Sequence, residues 1–543
     1  LIPFEVGILY YDVRRLPSEK EEFYGIRYVS LDDLLRLYDI ISIHVPLTNE
    51  TRHMISEKQL SLMKDGAILI NTARAEVIDE KALIKAIKEK GIKVGIDVYE
   101  TEPPDFNSEL FSMDNIIFSP HIAGATMESQ ERFLMETIAL KASIKELDIS
   151  PAFGNPGTTE LPMLRGIDQY YLTLHDSIAV GMADGYSQYS LKPSLVNLHS
   201  VPGVGNSIAF IHTSLKNRAP IIITAGQQDT RHAVYEPLLY GELTDMVNGV
   251  VKMRYEVRHS NDIPIIMRKA KAIALTPPMG PVFISFPMDI MDEDAEYLPR
   301  QYAYRIPNLI DEDAVDYIAN ALDAAENPAL VMGYEIDAFN AFKEAEELAD
   351  ALGCPVYAEP LAHRSPFNSN SKRFAGDLLP GSTLINMKLL THDLILIIGG
   401  GITLYPYLPS PLLPGKRIIS VGFDVDPRLG ETFIMNPRMF MKEAATKITH
   451  KCNYVREDDL LYMNRVVRSR AVMGIDYVMH EARKVFQDFT VVDESISYSP
   501  IVRSVMGYGH NKYFTAKSGQ LGWALSASLG ISIVEKRLVT MVG

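Results

Sequence analysis

The run GILYYD ends in Asp12, and an acidic residue closing an apolar strand has a specific chemical use. In dinucleotide-binding folds a carboxylate at the end of the second strand accepts hydrogen bonds from the adenosine ribose. The glycine-rich turn of such a fold lies about 20 residues earlier, which would place it ahead of Leu1. A plain turn is the competing reading of Asp12. Farther along, FGNPGTTELPML is a loop punctuated by Gly and Pro, and by itself it says only tight turn. YYLTLHDSIAVGMADGY runs from a strand into a small-residue helix with Asp176 at the joint, where an N-cap would also sit. His199, in LVNLHSVPGVGN, stands between an apolar strand and a Gly-rich loop, a place that also suits a buried structural histidine. LIIGGGITL is glycine-rich after a strand but lacks the dinucleotide spacing, and FDVDP follows another strand. Both suit a nucleotide-type fold without its ligand.

The elements that must position these residues alternate. Strands such as DIISIHVPLT, GAILINTAR and KVGIDVYE are separated by helices throughout, which predicts α/β. The expected architecture is several Rossmann-like, doubly wound parallel-sheet domains in tandem, the first and last truncated. In DEKALIKAIKEKG, Asp79 is the expected N-cap, Leu83, Ile84 and Ile87 share a face, and Gly91 is the stop. The texture changes at DISPAFGNPG, and acidic, Pro-containing stretches mark later breaks. The expected pieces are 1–148, 149–305, 312–450 and 488–543.

Composition narrows the function. A net charge of −16 over 543 residues leaves no basic excess for nucleic-acid backbones. Cys354 and Cys452, the two cysteines, form no disulfide framework and fit no metal-ligand spacing. No run of about 18 apolar residues is present, so no membrane helix is expected. A cytoplasmic enzyme acting on small molecules is the expectation.

Four motifs in order, HVPLTNETRHMI, LINTARAEVIDEKAL, GIDVYETEPP and FSPHIAGAT, each follow a strand. Together they resemble the D-2-hydroxyacid dehydrogenases of the glyoxylate reductase and phosphoglycerate dehydrogenase type, over residues 1–145. The resemblance implies that Arg74 pairs with the substrate carboxylate, for which a forked guanidinium is suited. It makes His121 the acid/base at the hydroxyl carbon and Glu102 the partner that raises its pKa. It gives Asp12 the ribose and Asp97 the nicotinamide amide of NAD, with Thr48 and Ala73 lining the cofactor. Reducing a 2-oxo acid needs a cation, a proton donor and a hydride source, which Arg, His and NAD supply. Ala75 replaces the glycine common after the motif's Arg.

Residues 152–543 resemble the benzoylformate decarboxylase branch of the thiamine diphosphate enzymes, with acetolactate synthase as the rival on the same fold. The motifs are FGNPGTTELPML, LTLHDSIAVGMADGY, NLHS, AGQQ and SGQLGWALSASLG. The resemblance implies an acid at 176 that bonds the cofactor's pyrimidine N1′. The family has Glu there; Asp176 is one methylene shorter, roughly 1.5 Å of reach. His199 matches an active-site histidine, Thr158 a small hydroxyl near the substrate carboxylate, and Asn155, Gly157, Gln227 and Gly519 line the cofactor. Leu521 would be the wedge that bends it, and Trp523 a core residue. Pro406 stands where benzoylformate decarboxylase has a second histidine.

In that family VTMVG continues to a Gly-Asp-Gly motif and an Asn that hold Mg²⁺, placing the metal ligands beyond Gly543. The dehydrogenase's glycine loop would likewise precede Leu1. The expected function is a thiamine diphosphate-dependent 2-oxoacid decarboxylase or carboligase joined to a partial NAD-dependent D-2-hydroxyacid dehydrogenase; the alternative is an incomplete or misjoined chain without catalytic activity. The pyrimidine pocket is expected to be open and unfinished, and the intact assembly a homodimer or homotetramer.

Overall fold

The computed structural model describes residues 6–101, 104, 106, 108–122, 138–164, 167–291, 304–306, 308–405, 410–449, 451–456 and 474–543. Two compact units make up the chain, Leu1–Arg132 and Phe133–Gly543.

In the first unit β1 (Ile8–Tyr10) and β2 (Ile26–Tyr28) form one parallel pair. β3 (Ile40–Ile43), β4 (Ile68–Asn71), β5 (Lys93–Ile96) and β6 (Ile116–Phe118) form a second parallel sheet in chain order. Helix α1 (Glu80–Lys90) starts because the Asp79 carboxylate accepts from the Ala82 amide at 3.1 Å. It stops at Gly91, whose φ of 64° is cheap only without a Cβ. Its buried Leu83, Ala86 and Ile87 share a core with Ile41, Ile43, Leu69, Val94 and Ile96, all from one face of the sheet.

The second unit holds three all-parallel sheets. The first has the order β11-β12-β10-β9-β7-β8. Its strands are β7 (Ala152–Asn155), β8 (Tyr170–Leu172), β9 (Ser194–Leu198), β10 (Ile221–Gln227), β11 (Met253–Glu256) and β12 (Val282–Pro287). The second has the order β15-β14-β13-β16-β17-β18. Its strands are β13 (Ala329–Met332), β14 (Val356–Ala358), β15 (Phe374–Asp377), β16 (Leu394–Ile398), β17 (Arg417–Gly422) and β18 (Glu431–Ile434). The third is β20-β19-β21, from β19 (Thr490–Glu494), β20 (Tyr513–Thr515) and β21 (Leu538–Val542).

Five helices of this unit matter below: α2 (Ile138–Glu146), α3 (Asp176–Ser190), α4 (Ser200–Lys216), α5 (Ile263–Leu275) and α6 (Trp523–Ile531). The break expected at 148/149 falls inside the unit. Leu140, Ile144 and Leu147 need an apolar partner, and Ile266 and Met267 of α5 supply it. Arg268 adds a two-pronged ion pair to Glu146, at 2.8 and 2.7 Å. The pieces 312–450 and 488–543 share one core as well, since Val491, Val502 and Tyr513 pack with Leu348, Phe374 and Phe440. Helices α3 and α6 approach as bare backbones. A Cβ on Gly185 would lie 2.2 Å from the Ala527 carbonyl oxygen, and one on Gly530 would lie 1.9 Å from that of Met182. No described helix is long and apolar enough to cross a membrane.

Candidate active sites

In parallel α/β sheets ligands meet the carboxyl ends of the strands, and the sequence motifs fall there. In the first unit Asn71 ends β4 and braces the next turn. Its side chain donates to the Arg74 carbonyl at 2.9 Å and accepts from the Ala73 amide at 3.0 Å. Arg74 itself is exposed, with its guanidinium on the Ala73 carbonyl at 2.7 Å. Asp97 follows β5 and is buried. It accepts from the Ser119 hydroxyl at 2.6 Å and the Ile122 amide at 2.8 Å, which fixes the chain leaving β6. His121, between those donors, is exposed and left-handed, with φ of 57°. That is an uncommon conformation for a residue with a Cβ.

Ala73, Arg74, Asp97 and His121 thus stand at the ends of three adjacent strands. Asp12 and Thr48 follow β1 and β3 and are exposed; each serves its own turn. Asp12 accepts from the Arg14 amide at 2.9 Å, and the Thr48 hydroxyl from the Glu50 and Thr51 amides at 3.3 and 3.2 Å. Glu102 lies outside the described residues.

In the second unit the sites converge on the ends of β7, β9 and β10. Asp176 is the first residue of α3, but it is not the cap. His175 is: its Nδ1 accepts from the Ser177 amide at 3.3 Å. The Asp176 carboxylate turns inward instead, 4% exposed. Oδ2 meets the amide groups of Asn155 and Asn206, each at 3.5 Å. Oδ1 is buried with no hydrogen-bond partner. A Cβ on Gly203 would fall 2.7 Å from it, so α4 passes close by. The carboxyl expected in an open pocket is therefore enclosed, because α4 covers it.

His199 follows β9, and its Nδ1 meets Glu160 Oε2 at 2.8 Å. Glu160 is fully buried. It also accepts from the amides of Gly157 (2.8 Å), Gly226 (3.0 Å) and Ser200 (3.2 Å), which ties three strand ends to one carboxylate. Gly157 is needed because a Cβ there would lie 2.1 Å from the His199 ring. Thr158 is exposed, whereas its neighbour Thr159 is buried and 3.3 Å from His199 Nδ1. Gln227 is buried at the end of β10 and donates to the Gly241 carbonyl at 2.8 Å. Glu160 is the residue that sequence reasoning missed. Its signal was a Glu three residues after a loop residue at a helix start, the capping pattern.

Gly519 has φ of 74° in an open turn, and Leu521 beside it is 60% exposed. Ser518 bonds Thr213 at 2.7 Å and Gly522 lies against Phe210, both on α4. Phe210 is about 10 Å along α4 from the Gly203 that touches Asp176, at 1.5 Å per residue. The turn that carries Leu521 and the carboxyl of Asp176 therefore meet different stretches of that helix. Glu494 holds the start of α6, accepting from Gly522 and Ala524, each at 2.7 Å.

Residues 138–248 match the N-terminal TPP-binding domain of thiamine pyrophosphate enzymes, and residues 315–432 match their central domain. Benzoylformate decarboxylase of Pseudomonas aeruginosa is 33% identical over 412 residues, covering 72% of this chain and 76% of that enzyme. The chain belongs to the thiamine pyrophosphate enzymes. Among solved structures, the 4-hydroxybenzoylformate decarboxylase of Rhodococcus jostii aligns with a TM-score of 0.70 at 27% identity, covering 75% of this chain and 81% of that one. Benzoylformate decarboxylase of Polynucleobacter necessarius aligns at 0.66 and 29%, covering 76% and 80%.

Residues 1–123 match a second family, the NAD-binding domain of D-isomer specific 2-hydroxyacid dehydrogenases. Glyoxylate reductase of Thermococcus litoralis is 52% identical over 129 residues, 24% of this chain. The chain spans only 38% of that reductase. In this thiamine pyrophosphate enzyme a segment matching a dehydrogenase's NAD-binding domain therefore precedes the thiamine pyrophosphate domains.

Proposed function

We propose that residues 138–543 serve a thiamine diphosphate-dependent 2-oxoacid decarboxylase or carboligase, with Asp176 as the acid that engages the cofactor. The observation that carries this reading is the orphaned Asp176 Oδ1, buried at a strand–helix joint. An unpartnered buried carboxyl oxygen is costly, and a proton shared with a pyrimidine nitrogen would satisfy it. Bound thiamine diphosphate supplies an electron sink for the carbanion left by loss of CO₂. Asp176 holds a proton at Oδ1 toward the ring nitrogen, while Asn155 and Asn206 fix Oδ2. Glu160 accepts from His199 Nδ1, which fixes the ring and turns Nε2 toward the substrate. Thr158, exposed at the loop, is a second substrate contact, and Gly157 and Gln227 shape the wall.

Leu521 and Gly519 belong to a wall that meets another part of α4. The reading therefore places the complete site between two copies of the chain, in a homodimer or homotetramer. Mg²⁺ would neutralise the diphosphate. Among the described residues no group of three or more His, Cys, Asp or Glu is placed to hold a metal, and none is assigned to it. For the first unit the reading is a D-2-hydroxyacid dehydrogenase type NAD site. Arg74 takes the carboxylate, His121 with Glu102 the proton, and Asp12, Thr48, Ala73 and Asp97 the NAD. The reading takes the cytoplasm as the location.

The test is CO₂ release from 2-oxo acids with thiamine diphosphate and Mg²⁺, in the parent, Asp176→Ala and Asp176→Glu. Ala should abolish turnover, and Glu, one methylene longer, should keep or raise it. An Ala variant as active as the parent would refute the assignment.

A further inference from the structure

The glycine-rich LIIGGGITL and the FDVDP stretch play no part in either site above, yet they meet in one crevice. The central sheet, numbered from its own first strand, has the order 3-2-1-4-5-6, and its topological switch point lies between β13 and β16. The loops that leave those two strands touch as bare backbones: a Cβ on Gly333 would lie 2.4 Å from the Gly399 carbonyl oxygen. Gly399 is left-handed, with φ of 68°.

Four backbone N–H groups converge there. Those of Tyr334 and Gly401 donate to Glu359, at 3.1 and 3.0 Å. Those of Phe423 and Asp424 donate to Glu335, at 3.1 and 3.0 Å. Both carboxyls are 1% exposed. Cations reach the crevice from the flanking pieces. Lys517 Nζ lies 3.6 Å from Glu359, and Arg218 grips Asp424 at 2.8 and 3.0 Å. His363 is fully buried, its ring 4.6 Å from that of Tyr334. Burial and the nearby Lys517, Arg364 and Arg218 hold it neutral.

Paired backbone N–H groups at strand ends, with cations beside them, are what this kind of fold offers a phosphate. Here each donor pair is filled by the chain's own carboxyl. The glycines are explained by that filling. A Cβ on Gly400 would come 2.4 Å from Glu359 Oε2, and one on Gly422 would come 2.6 Å from Glu335 Oε2. Burial, above all, pushes both carboxyls up, Glu335 to about 8.

We propose that this crevice is an anion site of the nucleotide-binding kind, occluded by the chain itself. Glu335 and Glu359 sit where a diphosphate would sit. The parent chain therefore takes no nucleoside diphosphate there, and removing the carboxyls opens the crevice to one.

The probe is ADP, with inorganic phosphate as the second titrant, in calorimetry on the full chain. The parent should show no ADP binding up to millimolar concentration. The Glu335→Ala/Glu359→Ala chain should bind ADP at least about tenfold more tightly than that limit, and Lys517→Ala on this background should weaken it. If the double variant fails to melt cooperatively, Glu359→Ala alone frees the Tyr334 and Gly401 amides and Lys517, and carries the same expectation. Micromolar ADP binding by the parent would overturn the proposal whatever the variants do. A folded variant no better than the parent would overturn it too. Gain of phosphate binding without ADP binding would overturn the nucleotide class.

Discussion

The two units of the chain use the same kind of sheet in different surroundings. In the second unit β9, β10 and β12 are buried at every residue, as parallel strands covered on both faces should be. In the first unit β3 alternates, with Ile41 and Ile43 buried while Ile40 is 60% exposed, and Ile117 on β6 is 78% exposed. The consequence is chemical. Asp176 and Glu160 sit inside protein, where charge interactions are strong and unmet hydrogen bonds are costly. Arg74 and His121 stand at an exposed edge, where water competes. The motifs are equally clear in both; the environment that gives them force differs.

The largest test of that contrast is Glu160→Ala. It strands the buried amides of Ser200 and Gly226, the half-buried amide of Gly157 and the His199 ring, and should cost about 3–5 kcal/mol in urea unfolding. Arg74→Ala should stay within about 0.5 kcal/mol. Equal costs would erase the difference.

Next is close packing. Gly530→Ala drives a Cβ into the Met182 backbone, which has no side chain to yield, and should cost about 1–3 kcal/mol. Gly95→Ala on β5 meets only Ile70, at 3.8 Å, and should be tolerated. Thermal melts of both variants decide.

A third test uses pH. Glu335 titrates near 8 when folded, against the ordinary 4.5. Between those values the folded chain holds a proton that the unfolded chain releases, so stability falls as pH rises through the window. The slope from this group is at most about 1.4 kcal/mol per pH unit. Glu335→Gln should flatten the pH dependence of Tm between about pH 5 and 8, whatever its absolute stability. An unchanged slope would place the titration elsewhere.

The smallest effect should come from the open face. Ile40→Lys or Ile117→Lys should change stability by no more than about 0.5 kcal/mol. A loss above about 1.5 kcal/mol would mean that this face is covered in solution.

Much of the architecture could be read from the sequence because it is local. Asp79 and Gly91 bound α1 as their types require, and the strand–helix alternation predicts the parallel sheets. The long-range parts could not be read. Glu160 looks like a surface charge in a Gly/Pro loop until β9 and β10 bring His199, Ser200 and Gly226 to it. Asp176 could have been a cap, and only the fold shows that His175 takes that job. The break at 149 followed a change of motif, but the partner of Leu140 and Ile144 lies more than a hundred residues away on α5. The partners of Gly399–Gly401, Glu335 and Glu359, also come from other elements of the sheet, which is why that motif seemed idle.

The central claim is that the second unit holds the working cofactor site and that Asp176 anchors it. Calorimetric titration of thiamine diphosphate with Mg²⁺ into the parent, Asp176→Ala and Arg74→Ala chains tests it most directly. The account predicts binding by the parent, at least about a tenfold loss in Asp176→Ala, and no change in Arg74→Ala. Equal binding by parent and Asp176→Ala would contradict it.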